Sequence, residues 1–174
     1  ARPLPKIAPP PAFPQAQGAS ARSQLMFRMV KARASVLASV QGMSAATAER
    51  PLAEGKWNTR ETILHLVNRD QARLREMEAA LRGVRPSWDG LDPARQVDVN
   101  EADLAPLRHV GWEDAKRLLL TTRQHLMEAV ESIPEEPAEV WHEAHPLGWM
   151  FQRLPAHDLH HADIIKRWRT EQGA

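Results

Sequence analysis

From Leu147 to Trp168 the large apolar residues return at the step of an α-helix, about 100° per residue. Leu147, Met150, Phe151, Leu154, Ile164, Ile165 and Trp168 all fall on one stripe. No strand-like alternation occurs anywhere in the chain, so this stripe is expected to be buried against other helices. Two histidines stand inside it: His161 near its centre, and His157 one turn earlier on the same face. His160 falls to one side, with Arg153 and Arg167. Pro155 suits the first turn of a helix that begins there, whereas a helix beginning near Leu147 would be kinked by it.

Two inward imidazoles one turn apart admit two readings. Such a pair can ligate one metal ion. Alternatively both are core residues satisfied by hydrogen bonds, a costly arrangement because each ring carries two nitrogens to satisfy. Spacing alone leaves both readings open.

The rest of the chain supplies partners for the stripe. Residues 1–20 contain six prolines and few large apolar side chains, the composition of a disordered tail. Helical periodicity begins near Arg22, with Leu25, Met29, Val36 and Val40 in one row and Met26, Val30, Arg33 and Leu37 beside it, and Gly42 offers a stop. After a connection containing Pro51 and Gly55, Asn58 and Glu61 form a capping-box pattern that opens a second helix, running to about Leu81. Its apolar row is Ile63, Leu66, Val67, Leu74, Met77 and Leu81, which leaves His65 on the opposite, solvent-facing side with Glu61, Asn68 and Glu76. Residues 83–111 are broken by glycines and prolines and either serve a function or hold short helices, of which 98–107 is one candidate. Trp88 is expected to pack this loop down. A third helix is expected from Trp112 to about Ser132, with His125 beside its stripe in a structural role. The connection from Pro134 to Pro146 carries Trp141, His142, Glu143 and His145, for which solvation is favoured over a pocket-lining role.

Four helices joined by connections, two of them long, predict an all-α four-helix bundle over residues 21–174. Bundles build metal sites from side chains on facing helices, so a third ligand is sought among His65, His109, His125 and Glu61. Composition removes other chemistries. The net charge of +1, from 23 basic and 22 acidic residues, gives no footprint for nucleic acid and no polybasic membrane patch. With no cysteine and no tyrosine, the chain has no thiol nucleophile, and any general base is His, Asp, Glu, Lys or a metal-bound water. No membrane-length apolar run or signal peptide is visible, so a cytoplasmic protein is expected. The segment His157-Asp158-x-x-His161 is close to the zincin-type His-Glu-x-x-His, but Asp158 is too short for the water-activating glutamate and little chain follows. No Gly-x-Ser-x-Gly occurs.

The segment Gly55-Lys56-Trp57-Asn58-Thr59-Arg60-Glu61-Thr62-Ile63-Leu64-His65-Leu66, followed much later by His157-x-x-His160-His161, resembles the DinB-like superfamily. The resemblance spans about Arg22 to Arg169 and rests on the order of its motifs rather than on any one of them. It implies a four-helix bundle, often dimeric, that binds one divalent metal (zinc, nickel, iron or manganese) through three histidines. Carried over, these are His65, His157 and His161, which sets the family pattern against the surface placement that periodicity gives His65. It further implies a small-molecule substrate. Some members transfer low-molecular-weight thiols such as bacillithiol, and related ones isomerise maleylpyruvate with mycothiol. A metal-dependent thiol transferase or hydrolase is therefore expected, with a non-catalytic metal-binding bundle as the alternative.

Overall fold

The computed structural model describes residues 19–174, so the tail expected over residues 1–20 lies almost wholly outside the described residues. Four long helices dominate: α1 (Ala21–Val40), α3 (Thr59–Leu81), α5 (Trp112–Glu131) and α7 (Leu154–Gln172). Shorter ones, α2 (Ala45–Ala48), α4 (Pro93–Leu104) and α6 (Pro146–Gln152), sit in the connections with two 3-10 turns, Ala105–Leu107 and Ala138–Trp141. The fold is an all-α four-helix bundle.

Local chemistry sets the boundaries. Ser20 accepts a hydrogen bond from the Ser23 backbone N–H at 3.1 Å and opens α1. The Asn58 side chain accepts from the Glu61 N–H at 2.8 Å while Glu61 accepts from the Asn58 N–H at 3.2 Å, completing the capping box of α3. Asp92 caps α4 with Pro93 in the first turn. The stripe from Leu147 onward is not one helix. It breaks at Arg153, and Pro155 enters the first turn of α7, where its missing N–H costs no hydrogen bond.

The core falls into two apolar clusters. One gathers Val36, Val40, Leu64, Leu66, Val67, Trp112, Leu119, Ile165 and Trp168 among others. The other gathers Leu25, Met29, Leu126, Val130, Trp141, Leu147, Phe151 and Leu154 among others. A layer of charge lies between them, one residue from each long helix: Arg33, Asp70, Arg123 and Asp158. Arg33 donates to Asp158 at 3.0 Å and to Asp70 at 3.2 Å. Arg123 donates to both oxygens of Asp70 at 2.9 and 3.0 Å and to Asp158 at 3.0 Å. Leftover guanidinium N–H groups reach the Leu119 carbonyl at 2.7 Å and the Met29 carbonyl at 3.1 Å. Every member is buried, so the two cations and two anions cancel only because the set is complete.

The order of these layers along each helix fixes the topology. α1 and α7 pass from the second cluster through the charge layer to the first, whereas α3 and α5 run the other way. α1 packs chiefly on α7 and α3 on α5, so both close pairs are parallel. A parallel pair needs a crossover that returns the chain to the starting end. The long segment between α3 and α5, containing α4, is that crossover.

Candidate metal centre

His65 stands in the first half of α3, and His157 and His161 in the first half of α7. The His65 Nε2 and the His161 Nε2 each lie 3.1 Å from the His157 Nε2. The ring centroids are 4.7 to 5.3 Å apart, with the planes steeply inclined to one another. These three side chains form the set of potential metal ligands found among the described residues, their ligand atoms all within 4.8 Å of one another.

The surface placement that periodicity gives His65 is overturned: the residue is 3% exposed. The reason lies in the helix. From Thr59 to Arg73, α3 is enclosed on nearly every side, with its apolar row in the core and its polar side turned to the charge layer, the histidines and the cavity wall. The helix therefore has no solvent face along this stretch. The other proposed donors stand apart. His109 and His125 are exposed and stand outside the three-histidine set. Glu61 is engaged in the capping box and in a 3.0 Å ion pair with Arg108. Neither Glu61 nor Asn68 lines the cavity beside the histidines. Asp158 points into the charge layer, so it is withdrawn from the histidines that flank it in sequence.

Burial is the main force on the protonation of all three rings. It pushes His65 and His157 well below the ordinary imidazole value, and neighbouring positive charge on the other histidines, Arg69 and Arg73 acts in the same direction. His161 is lowered to about 4, again chiefly by burial. All three rings are thus neutral near pH 7 and keep a lone pair free for a ligand bond.

A cavity of about 420 Å³ opens onto the histidines, lined also by Trp57, Trp88 and Trp149 and by Arg69, Arg73 and Arg153. Trp57 sits 5.0 Å from the His65 ring, centroid to centroid, and its indole N–H donates to Glu101 of α4. Arg108 joins Glu101 at 2.7 Å and Glu61 at 3.0 Å, tying the crossover to the start of α3. Trp88, for which packing the loop down is favoured over forming an aromatic wall, is a wall of the cavity, with the Arg69 guanidinium 4.5 Å from its ring centroid. Trp141 is corrected in the opposite sense. It is fully buried, with its indole N–H on the Pro134 carbonyl at 3.2 Å, rather than solvated. His145 caps α6 through its Nδ1, which accepts from the Leu147 N–H at 3.1 Å.

A family model described as the DinB superfamily matches residues 28–165. The chain belongs to the DinB superfamily. Among solved structures, this DinB protein is similar to DfsB, described as a sibling lethal factor precursor, at a TM-score of 0.70 and 13% identity over 88% of this chain and 97% of that one. It is also similar to YfiT from Bacillus subtilis, described as a probable metal-dependent hydrolase with an unusual four-helix bundle topology. There the TM-score is 0.58 and the identity 15%, over 97% of this chain and 94% of that one. At such identities the likeness establishes the shared fold. No curated protein matches the sequence.

Proposed function

We propose that this DinB protein is a metal-dependent enzyme acting on a small molecule, with one divalent ion held by His65, His157 and His161. The convergence of three imidazole nitrogens carries the reading. Two bonds of ~2.1 Å to a shared ion put their nitrogens about 3.0–3.4 Å apart at angles of ~90–110°, and the contacts to His157 Nε2 are 3.1 Å. Hydrogen bonding among the rings is a poor substitute. The His157 Nε2 offers either one N–H or one in-plane lone pair, and cannot serve both neighbours well with either. Three ligands on two helices, facing a cavity, also leave coordination positions open toward substrate, as a catalytic site requires.

A bound divalent ion would supply Lewis acidity, lowering the pKa of a water or thiol placed against it. The chain's own residues do the rest. Trp57, Trp88 and Trp149 exclude water from the cavity walls. His160, exposed at the rim with its ring centroid 5.2 Å from that of His161, is placed to pass a proton to solvent. A carboxylate general base is not at hand. Asp158 is locked between two arginines, and Glu76 stands eleven residues beyond His65, about 16 Å of helix rise. A thiol is intrinsically far more acidic than water and would need less help from a base to ionise beside a divalent ion, which favours thiol transfer. The thiol comes from a cosubstrate, because the chain has no cysteine. Hydrolysis is the second reading, supported by the description of YfiT as a probable metal-dependent hydrolase.

The test is conjugation of low-molecular-weight thiols to monobromobimane, in which a C–S bond replaces C–Br and bromide leaves. The expected result is catalysis that disappears on chelation and returns with a divalent ion. Catalysis indifferent to chelation contradicts the proposal. Activity toward ester or amide substrates with no thiol dependence favours the hydrolytic reading.

A further inference from the structure

Beyond the three histidines, the same face of α3 carries Arg69 and Arg73, one and two turns further on. Both are buried, at 9% and 7% exposure, and both line the cavity. Neither has a close carboxylate of its own; Asp103 and Glu76 offset the burial of Arg69 only from beyond ion-pair distance. Arg69 makes no ion pair within 4 Å among the described residues, and its guanidinium rests on the Trp88 ring. Arg73 reaches Asp70 only at 3.9 Å, and Asp70 is already bonded to Arg33 and Arg123. Its other contact is a long 3.4 Å bond to the Met150 carbonyl. Around the cavity three arginines, Arg153 included, face a single carboxylate, Glu76, which accepts from the Ser87 N–H at 3.0 Å. A buried, unpaired cation is expensive to maintain, and burial lowers Arg73 to about 10 despite Asp70. One unpaired and one weakly paired cation on the same cavity wall are explained by an anion that arrives from outside.

We infer that Arg69 and Arg73 form an anion subsite and that the substrate carries a carboxylate there. This rests on the reading of the histidines as the reactive centre. Along the helix the subsite lies about 6–12 Å from His65, so the carboxylate is held away from the reacting atom and fixes the substrate's direction. The planar fork of each guanidinium matches a carboxylate in two-point contact. The tryptophans that line the cavity favour a flat or apolar body. Asn100, whose side-chain oxygen is buried in the cavity lining without a partner, is available to a donor on that body.

The test uses the full chain, both metal-loaded and chelated, titrated with phenylacetate, its neutral isostere 2-phenylethanol and inorganic phosphate, with tryptophan fluorescence as the readout. Phenylacetate is expected to bind at least tenfold more tightly than 2-phenylethanol in both forms. Arg69→Gln is expected to remove most of that preference without changing metal content, and Arg69→Lys to restore part of it. Arg73→Gln is expected to act similarly. Because Arg73 borders the charge layer, Arg69→Gln is the decisive variant if Arg73→Gln does not fold. Equal binding of the alcohol, or a preference untouched by Arg69→Gln, overturns the inference. A carboxylate preference lost on chelation overturns it too, since the anion would then be a metal ligand. Tighter binding of phosphate than of phenylacetate overturns the carboxylate assignment. A protein that takes up no metal yet keeps an Arg69-dependent preference sinks the reactive-centre reading and leaves the subsite standing.

Discussion

His157, Asp158 and His161 share two turns of one helix and face different surroundings. The histidines turn to α3 and the cavity, while Asp158 turns to Arg33 and Arg123. Burial pushes the Asp158 carboxyl up, but the two guanidiniums outweigh it and hold it below the ordinary carboxylate range. Asp158→Asn leaves two buried cations short of a counter-charge and is expected to cost about 3–5 kcal/mol in urea unfolding, with metal content retained. Unchanged stability would contradict the role given to the charge layer. The histidines give a pH dependence of opposite origin. Their imidazoles titrate near 6.5 in the unfolded chain, and His161 near 4 in the folded one. Between those values the unfolded state binds more protons, so acid draws the equilibrium toward it. The urea midpoint of chelated protein should therefore fall as pH drops from about 6.5 toward about 4, and less steeply in His161→Gln. A midpoint that is flat or rises toward acid contradicts this. Sequence periodicity identified the inward pair on α7 but turned His65 outward, because a row of apolar residues marks one buried face and is silent about a second, polar one. Only the family resemblance put His65 with its partners.

At the scale of elements, the long helices were legible because their ends are chemically marked. Asn58 with Glu61 opens α3, Pro155 sits in the first turn of α7, and Gly42, with a φ of +72°, follows α1. What escaped notice lies inside the connections. α2 and the 3-10 turn at Ala138–Trp141 are each four residues long, too short to show a period. The polar neighbours His142 and Glu143 point to a solvated Trp141; its burial comes from α6 folding back over that turn. The approach is close. A Cβ on Gly148 would lie 2.0 Å from the His142 carbonyl oxygen. Gly148→Ala should cost about 1–3 kcal/mol through overpacking and displace Trp149 and Met150, which line the cavity. Thermal unfolding checks the first effect and ligand-induced fluorescence the second. An alanine variant as stable as the parent would show that α6 can shift without cost.

For the whole molecule, two apolar clusters and the charge layer between them hold the four helices, and the three histidines sit to one side of that arrangement against a cavity. The bundle class follows from periodicity, but the parallel pairing of α1 with α7 and of α3 with α5 does not. It depends on which cluster each helix meets first, and sequence rows carry no such direction. The charge layer was hidden for a related reason. Arg33 reads as one polar residue in an apolar row, and its partners are 37 and 125 positions away. Because neither apolar cluster includes the histidines, chelation should leave the helical circular dichroism intact, with thermal stability lowered only by the loss of ligand binding. Unfolding on chelation would mark a structural site instead. The most direct measurement is metal content, by elemental analysis of protein purified without chelators, beside His65→Ala and His157→Ala. One divalent ion per parent chain and at least a tenfold loss in each folded variant is the expected result. Full occupancy in either variant, or no metal in the parent, would contradict the assignment of these three imidazoles to one ion.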